Sequence, residues 1–66
     1  LLRGYSRKQV DALCEHILRH LESGAPLAID EVRRVVFNVK RLGYVEAQVD
    51  AFIDRVIEAI QIEQNR

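Results

Sequence analysis

The chain has one cysteine, Cys14, so no disulfide can form within it. A reducing compartment is the easier reading, and the staple that small secreted domains rely on is missing. No Cys/His cluster has zinc-type spacing, so no metal or cofactor is expected to hold the chain together. There is no net charge: ten Lys and Arg face ten Asp and Glu. That balance argues against bulk nucleic-acid binding, whose affinity comes from neutralising phosphates. No run approaches the ~20 apolar residues of a membrane span, and no signal peptide is visible. No Gly-rich phosphate loop follows a strand. The initiator Met is also missing, since the sequence opens Leu-Leu, and it is expected to be a fragment trimmed at its start.

What remains is a chain of 66 residues, enough for one small domain. A domain of this size buries only about 60% of its unfolded surface. With disulfide and metal excluded, self-association as a homo-oligomer, a dimer by default, is the expected source of the missing stability. The charge is unevenly placed. Residues 1–44 hold eight basic and five acidic side chains, a balance of +3, and residues 45–66 hold two and five, a balance of −3. Such asymmetry suits a basic surface at one end.

The chain contains an internal repeat. Gly4, Tyr5, Gln9, Val10, Asp11 and Ala12 recur 39 positions later as Gly43, Tyr44, Gln48, Val49, Asp50 and Ala51. Apolar pairs extend the match through Leu13 and Phe52, Ile17 and Val56, Leu18 and Ile57, and Leu21 and Ile60. A repeat of this kind is one supersecondary unit used twice. The copies span 3–21 and 42–60 within a single domain covering 1–66.

Each copy begins with helix-start chemistry. Ser6 is the expected N-cap, with Gln9 as the third helical residue, a capping box. Tyr5 and Val10 flank it as a hydrophobic staple. The second copy keeps the staple in Tyr44 and Val49 but puts Val45 at the cap, where no side-chain acceptor exists. Gly4 and Gly43 fit a backbone that needs positive φ or a close approach. Val10, Leu13, Cys14, Ile17, Leu18 and Leu21 line one face of the first helix. Gly24 and Pro26 stop it. Val49, Phe52, Ile53, Val56, Ile57 and Ile60 line the second.

The expected fold is therefore all-α. Two main amphipathic helices run at about 7–22 and 46–62, with a short helical turn near 30–34, capped by Asp30. Val35, Phe37 and Val39 also alternate as a strand does, which predicts a minor extended segment at 35–39. That segment is placed to pair with Leu1, Leu2 and Arg3, which hold the same position before their own Gly-Tyr. Neither helix carries the heptads of a coiled coil by itself. Ile17, Leu21, Phe52, Ile53, Val56 and Ile60 are the candidate core and self-association residues.

Two charge features remain. Asp50, Asp54 and Glu58 form an acidic stripe, either a solvated face or a surface that meets Arg33 and Arg34. His16 and His20 stand four apart on one helical face. Cys14 is about 200° from His16 and cannot join them, so the pair has too few ligands for a metal site. Nothing orients a nucleophile beside Cys14, and the carboxylates lie in stripes, so no catalytic residues are nominated and the chain is read as a non-enzyme.

The stretch Gly43-Tyr44, then Val49-Asp50-x-Phe52-Ile53-Asp54-x-Val56, resembles the DivIVA domain of bacterial cell-division and polar-growth scaffold proteins. Upstream, Leu27, Val32 and Phe37 stand at that family's spacing before Gly-Tyr. The resemblance covers 27–60, about half the chain, and the first copy matches from Arg3 to Leu13. It implies a non-enzymatic protein that dimerises through the helices after the motif. It also implies a hydrophobic and basic loop offered to the membrane, here Val39, Lys40, Arg41 and Leu42. The family's aromatic-Arg order before Gly-Tyr is replaced by Arg41-Leu42, and its acidic cap by Val45. The implied location is cytoplasmic, at the inner face of the membrane at septum or pole, and other cell-division proteins are the implied partners.

Two functional readings follow. One is a self-associating scaffold or adaptor module with weak contact to an anionic membrane through residues 39–42. The alternative is a three-helix nucleic-acid-binding module using residues 31–42 as a basic recognition helix, with Arg33, Arg34, Lys40 and Arg41 on one side.

Overall fold

The computed structural model describes residues 2–65. Strand β1 (Arg3–Tyr5) leads into helix α1 (Arg7–Ser23). A short helix α2 (Ile29–Arg33), strand β2 (Val39–Arg41) and a long helix α3 (Glu46–Gln64) follow. The molecule is mostly helical with a small two-stranded sheet, so the all-α expectation holds for the helices and needs the sheet added.

The main helices fall where the periodicity predicts, each a residue or two longer. Ser6 caps α1, its Oγ accepting from the Gln9 amide at 3.3 Å. The capping box is only half formed. The Gln9 side chain turns away from Ser6 and accepts from the Asn38 amide at 2.7 Å, while the Ser6 amide donates to the Asn38 carbonyl at 2.8 Å. Gly24 ends α1 at φ 73°, its amide donating to the His20 carbonyl. That left-handed conformation is open to glycine at little cost. Val45 stands at the cap of α3 with no side-chain bond to the free amides.

The extended segment lies elsewhere than the alternation suggests. It is β2 at 39–41, not 35–39, and it pairs antiparallel with β1: Arg3 opposite Arg41, Gly4 opposite Lys40, Tyr5 opposite Val39. Leu2 does take part, its carbonyl accepting from the Leu42 amide at 2.9 Å. Leu1 lies outside the described residues. The side chains explain the shift, because Phe37 is needed in the core and leaves the strand to begin after it.

The two repeats cross. The Tyr5 amide donates to the Tyr44 carbonyl and the Tyr44 amide to the Tyr5 carbonyl, both at 2.9 Å. The side chains repeat the exchange. The Tyr5 hydroxyl donates to Asp50 Oδ1 at 2.8 Å, and the Tyr44 hydroxyl to Asp11 Oδ1 at 2.6 Å. Each contact maps onto the other by the 39-residue shift, so the halves are related by an approximate two-fold axis. Neither Gly4 nor Gly43 has positive φ; close approach is the reason for both. A Cβ on Gly4 would lie 2.0 Å from the Tyr44 carbonyl oxygen, and one on Gly43 2.4 Å from the oxygens of Gly4 and Tyr5.

From this crossing α1 and α3 run in the same direction. Val10 and Val49 share one buried cluster near the crossing, Ile17 and Ile60 share a second, and His20 meets Glu63 beyond it. At 1.5 Å per residue the helices are ~26 and ~29 Å long, which accounts for most of the 45 Å long axis. The connection between repeats returns along one furrow of this pair. Leu27, Val32 and Phe37, five apart, drop into it in turn: Leu27 and Val32 beside Ile17 and Ile60, Phe37 between Val10 and Val49. Val32 is fully buried.

Candidate functional site

The crossing builds a tip at one end of the molecule. Leu2 and Leu42 stand opposite one another beyond the last paired residues, and their side chains are 82% and 61% exposed. Two positions inward, Lys40 is paired with the bare Gly4. Arg3 and Arg41 face each other, an unfavourable pairing of like charges. Arg7 completes the set. Its Nε donates to the Leu42 carbonyl at 2.7 Å, and its guanidinium lies over the Tyr44 ring at 4.6 Å. Leu42 itself adopts φ 59°, an uncommon conformation for a residue with a Cβ. The tight turn into Gly43 holds its side chain out.

The nominated loop Val39, Lys40, Arg41 and Leu42 is therefore exposed throughout and sits at the tip. Sequence reasoning paired Leu2 and Arg3 with the extended segment without placing them in the tip, and it missed Arg7. The signal was available, because the repeat places Arg3 at the position equivalent to Leu42. The helix-start residues Gly4, Tyr5, Val10, Gly43, Tyr44 and Val49 all meet at the crossing just behind the tip. Hydrogen bonding to Asp50 raises the Tyr5 pKa above its usual value, and hydrogen bonding to Asp11 does the same for Tyr44.

Other nominated residues separate. Ile17 and Ile60 are buried, and Ile53 and Val56 are half-buried against the core. Leu21 and Phe52 are exposed instead, because the returning connection covers only one furrow of the helix pair. Leu27, Val32 and Phe37 fill the core positions those two were assigned. Asp50 of the acidic stripe accepts from Tyr5, while Asp54 and Glu58 are exposed. Among the described residues neither Arg33 nor Arg34 forms an ion pair with any of the three. The segment 31–42 is not one helix: α2 ends at Arg33 and the chain is extended by Val39.

His16 and His20 tie the returning connection down. His16 Nε2 contacts the Pro26 carbonyl at 2.9 Å, and His20 Nδ1 the Ala25 carbonyl at 2.7 Å. His20 Nε2 lies 3.0 Å from Glu63 Oε1. The Ala25 carbonyl, then Glu63, raises the His20 pKa, and burial opposes them. Cys14 is half-buried, and burial, helped by Asp11, pushes its thiol up. A nucleophilic cysteine needs the opposite shift.

No family model, curated protein or solved structure matches this chain.

Proposed function

We propose that the chain is a non-enzymatic scaffold or adaptor module that touches an anionic membrane surface through its tip. The observation that carries this reading is the company Leu2 and Leu42 keep: two exposed leucines at one pole, with Lys40 beside them and Arg3 and Arg41 behind. Each basic residue near an anionic bilayer contributes about 1 kcal/mol, and leucine insertion adds apolar transfer energy. An anionic surface also relieves the repulsion between Arg3 and Arg41. The resemblance of the Gly43-Tyr44 stretch to the DivIVA domain supports the same reading and suggests bacterial cell division or polar growth as the setting. Self-association belongs to this reading, and the exposed Leu18 and Leu21, three apart on α1, are the surface we assign to it. The nucleic-acid alternative loses its support, since it required a helix through residues 31–42.

Co-sedimentation with vesicles tests the proposal. The protein should pellet with phosphatidylserine-containing vesicles at low salt, release as salt rises, and ignore phosphatidylcholine vesicles. Lys40→Glu with Arg41→Glu should abolish pelleting and leave the helical circular dichroism unchanged. A wild-type protein that stays in the supernatant with anionic vesicles would sink the membrane role and leave an adaptor.

A further inference from the structure

The approximate two-fold axis pairs the sites around the crossing, and one pair is half filled. The filled member holds Phe37 and Asn38. Phe37 shares a buried cluster with Val10 and Val49, against which Leu13 and Ile53 pack, and its ring is 5.3 Å from that of Tyr5. The next residue, Asn38, is held through its backbone. Its amide donates to Gln9 Oε1, and its carbonyl accepts from the Ser6 amide.

Shifting that set by 39 positions in either direction gives its twin. Tyr5 becomes Tyr44, Gln9 becomes Gln48, Val10 and Val49 exchange, Asp50 becomes Asp11, Leu13 becomes Phe52, and Ile53 becomes Cys14. Val10, Asp11, Cys14, Tyr44, Gln48, Val49 and Phe52 line an open groove of about 240 Å³ on the other side of the helix pair. An engineered cavity of roughly 150 Å³ holds a benzene ring, so the groove has room for one aromatic side chain. The backbone clamp is present as well. Val45 stands where Ser6 does, and among the described residues neither its amide nor the Gln48 side chain has a hydrogen-bond partner. The contrast in cover is large: Ser6 is 7% exposed, Val45 57%.

We infer that this groove binds an extended segment of another polypeptide that carries an aromatic side chain. The ring lies against Tyr44 between Val10 and Val49, over Phe52 and Cys14. The amide of the following residue donates to Gln48 Oε1, and its carbonyl accepts from the Val45 amide. The inference rests on the internal symmetry and is independent of the membrane reading. The recognised pattern is the one the filled site displays: apolar residues five apart, ending in an aromatic, as in Leu27, Val32 and Phe37.

That connection supplies the probe. A fluorescently labelled synthetic peptide of residues 27–38 is titrated into the intact protein and followed by anisotropy. Saturable binding is expected, and Phe37→Ala in the peptide should weaken it about tenfold or more. In the protein, Phe52→Glu should abolish binding while the helical circular dichroism is retained. Phe52 lines the open groove, and Leu13 takes its place in the filled one. Gln48→Ala, at an exposed position, should weaken binding several-fold and serves if Phe52→Glu does not fold. Ile62→Glu, away from the groove, should leave binding unchanged. No binding at millimolar peptide, or binding indifferent to both Phe52→Glu and Gln48→Ala, overturns the proposal. A solution mass of the protein alone that falls on Phe52→Glu also overturns it, because a second copy then covers the groove.

Discussion

Gly4 and Gly43 carry the fold on two hydrogens. Each passes so near the other strand that a methyl group would overlap a carbonyl oxygen. Backbone on both sides cannot yield as the end of a side chain can. Gly43→Ala should therefore leave the chain largely unfolded, since a small domain has only about 5 kcal/mol to lose; circular dichroism at 25 °C reads this directly. The tyrosines give a subtler prediction. Tyr5→Phe and Tyr44→Phe each remove one hydroxyl bond to an aspartate, and the two sites are twins. Both should lower the urea midpoint, and by similar amounts, whereas a large inequality would show that the two-fold relation does not extend to energetics. The Gly-Tyr pairs were legible as a motif because they recur. Their partners were not, because a repeat shows that two units are alike and is silent on whether they meet within one chain or between two.

At the scale of elements, the helices were legible and the connection between them was not. Periodicity and caps placed α1 and α3 to within two residues, because both are long and carry their own start signals. Leu27, Val32 and Phe37 recur every five residues, a spacing that matches neither a helix nor a strand, so no periodic template finds them in the core. Two predictions belong here. Val45 leaves the amides of α3 uncapped and is exposed, so Val45→Asp should stabilise the protein by about 1 kcal/mol, a rise of roughly 4–8 °C in Tm for a domain this small. The histidine anchor is pH-dependent. His20 has its pKa raised above 6.5 in the folded state, and only the protonated ring donates to Ala25 and Glu63 together. Its contribution is complete below pH 6.5, the ordinary histidine value, and is lost as pH rises through the folded-state pKa. The difference in urea midpoint between wild type and His20→Asn should thus be largest in mild acid and shrink toward alkaline pH. A difference that grows with pH would show that the neutral ring makes the better anchor.

For the molecule as a whole, size and composition point to a second chain, and the crossing sets the two repeats of one chain against each other. Val10, Ile17, Val49 and Ile60 of the apolar stripes are buried in this way with the returning connection, and Leu18, Leu21 and Phe52 stay exposed, the first two for the self-association proposed above. The sequence could not separate these outcomes, because the same stripe fits a neighbour in cis or in trans. The crossing also sets an order in time. Tyr5 and Tyr44 are joined across a closed loop of 39 residues, and loop closure of that length costs roughly 3 kcal/mol before any contact returns it. Helical segments form within about a microsecond, so we predict that the crossing closes last and limits the folding rate. In pulsed hydrogen exchange, the amides of Tyr5 and Tyr44 should gain protection after those of α1 and α3. Simultaneous protection would mean that the crossing is already part of the nucleus.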